Sequence, residues 1–152
     1  MQRSRNQLKS YRIVLIGLLL AATARGETVE DARQRVELPP QVQAHMLANM
    51  RDHLAAIEAM TRLLAERRYE EAADTAETRL GMSAMAAHGA QSMAPFMPEP
   101  MRAMGGAMHR AASRFATEAR NTEVTGDPSG ALGALSAVMQ QCVACHGAFR
   151  VH

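Results

Sequence analysis

Residues 40–66 read PQVQAHMLANMRDHLAAIEAMTRLLAE, and this stretch decides the fold class. Its apolar residues Val42, Met46, Met50, Ile57, Met60 and Leu64 recur at three- and four-residue steps, interrupted by the polar His53. That period puts them on one face of a helix, widened by Leu47, Leu54 and Leu63, with Asp52, Glu58, Arg62 and Glu66 largely off it. Pro39-Pro40 suits a helix start, because the first turn leaves its N–H groups unpaired and proline presets φ.

Working outward, the same period continues. A second helix is expected over about residues 70–87, with Ala72, Ala73, Ala76, Leu80 and Met85 inward and Gly89 as its stop. Its acids Glu70, Glu71 and Asp74 sit at the positive N-terminal end. The run Pro95-Phe96-Met97-Pro98-Glu99-Pro100 breaks regular helix and reads as a rigid linker. A third helix is expected over about residues 100–121, carrying Met101, Met104, Met108, Ala111, Ala112 and Phe115. Gly126-Asp127-Pro128-Ser129-Gly130 is a loop, and a last helix follows to about residue 149 with Leu132, Leu135, Val138, Met139 and Cys142 on one face.

No internal repeat and no period-two alternation suggests strands. Helices joined by short connections predict an all-α chain, an antiparallel up-down-up-down four-helix bundle over residues 40–152. Residues 27–39, polar and ending in proline, form an extended lead-in. In such a bundle the first and last helices are antiparallel neighbours.

The beginning of the chain has the pattern of an export signal. Arg3, Arg5, Lys9 and Arg12 precede the apolar run from Ile13 to Ala22, and Ala22-Thr23-Ala24 fits small-residue cleavage. The apolar run falls short of the roughly 20 residues of a membrane span. Residues 1–26 are therefore expected to be a signal peptide, the mature chain periplasmic, and no segment membrane-embedded after cleavage. The leader holds five of the 17 basic residues and no acid, so the rest has 12 basic and 15 acidic residues. That net negative charge leaves no electrostatic footprint for nucleic acid. Aromatics make up 3% and tryptophan is absent, while methionine reaches 12. A helical core so poor in rings would gain from a large flat apolar group.

The chemistry concentrates near the carboxyl end. Cys142-Val143-Ala144-Cys145-His146 spells C-x-x-C-H, the attachment signature of a c-type haem. Thiols three positions apart share a helix face, where both can add to the vinyl groups of one porphyrin, and the next imidazole becomes the proximal ligand. The same pair could be a thioredoxin-like motif, half of a zinc site or a disulfide. A thioredoxin motif needs a βαβ setting, and zinc needs two more ligands where these are the only cysteines. The haem reading is favoured.

A C-x-x-C-H on the last of four helices resembles the class II c-type cytochromes, cytochrome c′ and its six-coordinate relatives of the cytochrome c-556 type. The resemblance extends through Cys142-Val143-Ala144-Cys145-His146-Gly147-Ala148-Phe149-Arg150, which is similar to that family's C-x-x-C-H-x-x-[FY]-[RK] ending. It implies one covalent haem c on Cys142 and Cys145, iron on His146, and Arg150 flanking the proximal face. It implies a one-electron carrier, not an enzyme, serving redox partner proteins, with homodimerisation through the first two helices as a further option.

The sixth iron position has several candidates. Met46 lies about 9 Å and Met50 about 15 Å along the first helix, at 1.5 Å per residue. Met46 better matches the height of His146, core packing being the alternative for either methionine. A vacant sixth position would give a five-coordinate cytochrome c′ binding NO or CO. His45 is expected to be solvated, and His53 to be a satisfied core histidine. Met82, Met85, Met93, Met97, Met101, Met104 and Met108, with His88 and His109, could instead select Cu(I), which would make the chain an exported copper-binding protein. Their helical spacing favours core filling. Arg51 is a candidate partner for a haem propionate. There is no catalytic triad, phosphate loop or nucleophile elbow.

Overall fold

A computed structural model describes residues 30–152, and the architecture below is that of the unit spanning residues 33–152. The expected leader and its cleavage site lie outside the described residues. The chain is all-α, but it is not the four-helix bundle that the periodicity predicts. Five α-helices are present among the described residues: α1 Pro40–Ala65, α2 Tyr69–Arg79, α3 Ala90–Met93, α4 Glu99–Thr125 and α5 Ser129–Ala148. Single 3-10 turns, Met82–Ala84 and Ala94–Phe96, lie either side of α3. Contrary to the strand-free expectation, β1 Gln34–Arg35 pairs in parallel with β2 Phe149–Arg150, Gln34 opposite Phe149.

The helix boundaries have local causes. α1 begins at Pro40 after an extended Pro39. It ends where the amides of Arg68 and Arg67 turn back to the carbonyls of Leu63 (2.9 Å) and Leu64 (3.1 Å), with Arg67 left-handed at φ 58°. This is a Schellman closure, made here without glycine. The Arg68 guanidinium fixes the turn by bonding Glu66 (2.7 Å) and Glu71 (2.7 Å).

The fifth helix arises because α2 stops early. The amides of Leu80 and Gly81 both bond the carbonyl of Ala76, at 2.9 and 2.7 Å. Gly81 passes so close to α2 that a Cβ there would sit 2.8 Å from the Cα of Glu77. The Leu80 carbonyl, released from the helical ladder, accepts from His109 Nδ1 at 2.7 Å. Apolar residues continue in helical period through the break to Met85, which is why the sequence reads as one helix. The chain then resumes as α3 after Gly89, left-handed at φ 67°.

Helix α1 packs along α2, α2 along α4, and α4 along α5, the last pair most extensively. No comparable packing joins α1 to α5, so the first and last helices are not the close neighbours of a closed bundle. The β1–β2 pair and a bond from Gln43 Nε2 to the Val151 carbonyl (2.7 Å) span the space between them. Two apolar clusters result. One is tight and alanine-rich, with Ala72, Ala76, Ala112, Ala116 and Ala119 around Met60, Phe115 and Val138. The other gathers Val36, Met46, Met93, Met101 and Phe149, with Cys145 against it. No described helix is long and apolar enough to cross a membrane.

Phe115 is fully buried in the alanine-rich cluster, where small neighbours cannot swell into a void. Phe115→Ala is expected to lower unfolding free energy by about 3–5 kcal/mol. Urea titration followed by helical circular dichroism measures it.

Candidate functional site

A cavity of about 370 Å³ opens among α1, the short α3, the first half of α4 and the end of α5. Its size falls within the roughly 300–1,000 Å³ of small-molecule and cofactor sites. Met46 and Met50 come from α1, Met93 and Met97 from the α3 region, Met101 and Met108 from α4, and Cys145, His146, Phe149 and Arg150 from the carboxyl end. The wall is mostly thioether and aliphatic carbon. No Asp or Glu lines it among the described residues, whereas Arg33, Arg102 and Arg150 do.

The predicted site residues divide as follows. Cys145, His146, Arg150, Met46 and Met50 all reach this one cavity. Cys142 is one turn earlier on α5, half-buried, its Sγ directed at the Val138 carbonyl at 3.7 Å. Met46 is buried at 5% exposure and Met50 stands at 36%, which favours Met46 as the inward thioether. Arg51 is exposed on α1 and does not line the cavity. Arg33 and Arg102 do, and the sequence reading missed both. Arg33 donates to the His146 carbonyl at 3.4 Å, a position only the strand pairing could reveal. Of the methionine-rich set, Met82 is exposed and away from the wall, Met104 packs beside it, and the other five line it.

The two cysteines are free thiols, and burial pushes both above the ordinary thiol range. A thioredoxin-like dithiol requires the opposite, a thiolate stabilised by positive surroundings. No group of three or more His, Cys, Asp or Glu side chains among the described residues is disposed to hold a metal ion, so half a zinc site has no other half. The donor set does suit a haem: two thiols three positions apart, an adjoining imidazole, an apolar cavity with buried thioether, and guanidinium groups matched to carboxylates.

At the inner wall the structure assembles something the sequence did not. The His88 carbonyl accepts from Asn49 Nδ2 at 2.9 Å and lies 3.1 Å from His45 Nε2. His45 is exposed, as the sequence led us to expect, and it also helps tie the loop after α2 to α1. Gly89 is required beside it, since a Cβ there would meet His45 Nε2 at 2.9 Å in a left-handed backbone. The tie brings the His88 ring against His53, with centroids 4.7 Å apart and His53 Nε2 3.3 Å from His88 Nδ1. His109 follows, its ring 5.3 Å from that of His88. All three rings line the cavity.

Burial first, then repulsion from His88 and His109, lowers the His53 pKa to about 4; burial likewise lowers His88. Comparison with known proteins finds no matching family model, no similar curated protein and no similar solved structure.

The depressed imidazoles carry a sign. Between the unfolded value near 6.5 and the folded value near 4, the unfolded chain binds more protons, so stability falls as pH is lowered through that window. The urea midpoint is expected to drop from pH 7 to pH 4, and a His53→Gln variant should show a shallower drop. An equal slope in the variant would remove His53 from the account.

Proposed function

We propose that this chain is a periplasmic monohaem c-type cytochrome of the class II kind, carrying single electrons between partner proteins. The single observation that carries the reading is the convergence on one apolar cavity of Cys145 and His146 with the buried thioether of Met46. When bound, haem supplies reversible one-electron exchange between ferric and ferrous iron.

The roles of the chain's own residues follow from their chemistry. Cys142 and Cys145 form the two thioether bonds, and the α5 helix holds them in register. His146 supplies the imidazole for iron. Met46 supplies a soft, neutral sulfur, which favours the reduced state and keeps solvent ligands out. The methionines around it exclude water and adapt to the shape of a flat group. Arg150, Arg33 and Arg102 offer guanidinium groups to carboxylates at the cavity wall. A five-coordinate, gas-binding version has less support, because an inward thioether with 5% exposure already lies on the apolar wall.

Protein exported from a host competent in cytochrome maturation should carry the mass of one haem, and Cys142→Ala/Cys145→Ala protein should carry none. Its ferric spectrum should be low-spin; Met46→Leu should turn it high-spin, while Met50→Leu should leave it low-spin. Intact-mass measurement showing no added group overturns the proposal.

A further inference from the structure

Beyond that reading, we infer that His53 and His88, completed by a thioether from the same cavity wall, form a binding site for one Cu(I) ion. The two facing nitrogens, His53 Nε2 and His88 Nδ1, are 3.3 Å apart. Two imidazoles on one three- or four-coordinate ion, with metal–nitrogen bonds of about 2.0–2.1 Å, place their donor atoms about 3.3–3.6 Å apart. The spacing that lets the rings share a hydrogen bond is therefore also the spacing of a chelating pair. Exchanging one for the other needs only that the shared proton be replaced by the ion and the donating ring take up its other neutral tautomer. No net proton is released, and both ligands stay neutral.

The pair is held in place from behind. His88 is fixed through its own carbonyl by Asn49 and His45, from two successive turns of α1, and His53 is on the next turn of that helix. His109 is tied by Nδ1 to the Leu80 carbonyl at 2.7 Å. That bond turns its other nitrogen away from the carbonyl and wedges the ring beside His88. This backing acts on the His88 backbone and on the neighbouring His109 ring, and it limits where the two ligand rings can turn.

The identity of the ion follows from charge and softness. No third His, Cys, Asp or Glu joins the pair in a metal-holding group among the described residues, so the remaining donor must be of another type. Met50, Met85 and Met108 line the cavity. Thioether with imidazole selects Cu(I) over harder ions. The donors are neutral, no carboxylate lines the wall, and the one acid whose field reaches both rings, Asp52, is already paired with Arg79; a divalent ion would therefore bring more uncompensated charge into the apolar cavity than a monovalent one. The methionines of the cavity thus acquire a partner from α1, His53, which the linear sequence kept apart from them.

The test uses the full chain with Cys142→Ala and Cys145→Ala, so that thiols do not capture copper and the result does not depend on haem attachment. Cu(I) is titrated anaerobically in competition with a chromophoric chelator. One ion per chain is expected. Adding His53→Ala and His88→Ala should weaken binding by more than the about 10–100-fold that loss of even an outer-shell partner causes. X-ray absorption of the copper-loaded chain with both histidines intact should report nitrogen and sulfur neighbours together, a readout that does not depend on how the variants fold. Absence of binding, undiminished affinity in the double-histidine variant, or a copper shell of sulfur alone each overturns the inference.

Discussion

The carbonyl oxygen of His88, accepting from Asn49 and facing His45, is the contact on which the rest of the cavity depends. Helix α1 buries one face on α2 and makes no comparable packing with α5. Its position at the open end is therefore set largely through the loop that follows α2, which reaches α1 through the His88 carbonyl and, beside it, the His88 ring against His53. A buried amide left without its acceptor costs about 1–3 kcal/mol, more than an intact hydrogen bond contributes on balance. Asn49 therefore has a strong energetic reason to hold the loop. The left-handed Gly89 is the backbone concession that lets His88 turn its oxygen toward Asn49 while its residue lines the cavity.

The two ends of the molecule are built from different materials. At one end alanine on α2 and α4 allows helices to approach closely, and a few large side chains fill what remains. At the other end the fillers are methionines, unbranched and polarisable, around a space they do not close. Packing at the alanine end is sensitive to a single methylene, whereas the methionine end can reshape around a guest. The composition that looks odd in the sequence, many methionines and almost no rings, is therefore spatially sorted.

Much of this was legible in the sequence, for reasons that can be stated residue by residue. The stripe from Val42 to Leu64, the proline starts and the Gly126 loop marked α1, α4 and α5, because long amphipathic periods and φ-fixing residues are local signals. The spacing of Cys142, Cys145 and His146 is a local signal of the same kind, and it pointed to the carboxyl end of α5, where Cys145 and His146 line the cavity. The break after Arg79 was not legible, since Leu80 and Met85 keep the helical period while the cause lies in a close backbone approach at Gly81 and a bond from distant His109. Nor was the His53–His88 pairing, between residues 35 positions apart brought together by a loop. The two-residue strands carry no alternation to detect; only their partners define them. Arg33 entered the site with them.

That strand pair has a consequence for the order of events during folding. It joins the lead-in to the tail, and the Arg33 contact beside it closes 113 positions of chain. Loop-closure entropy makes so remote a pairing, with so few hydrogen bonds, a late step that must wait for the helices between. Until it forms, the carboxyl-terminal turn of α5 is free of the lead-in. Once it forms, the tail is strapped beside α1, with Cys145 and His146 lining the cavity and His146 still exposed. The strand pair is thus a late clasp: the helices set out the cavity first, and the last few bonds of assembly fix where the carboxyl-terminal turn lies against it.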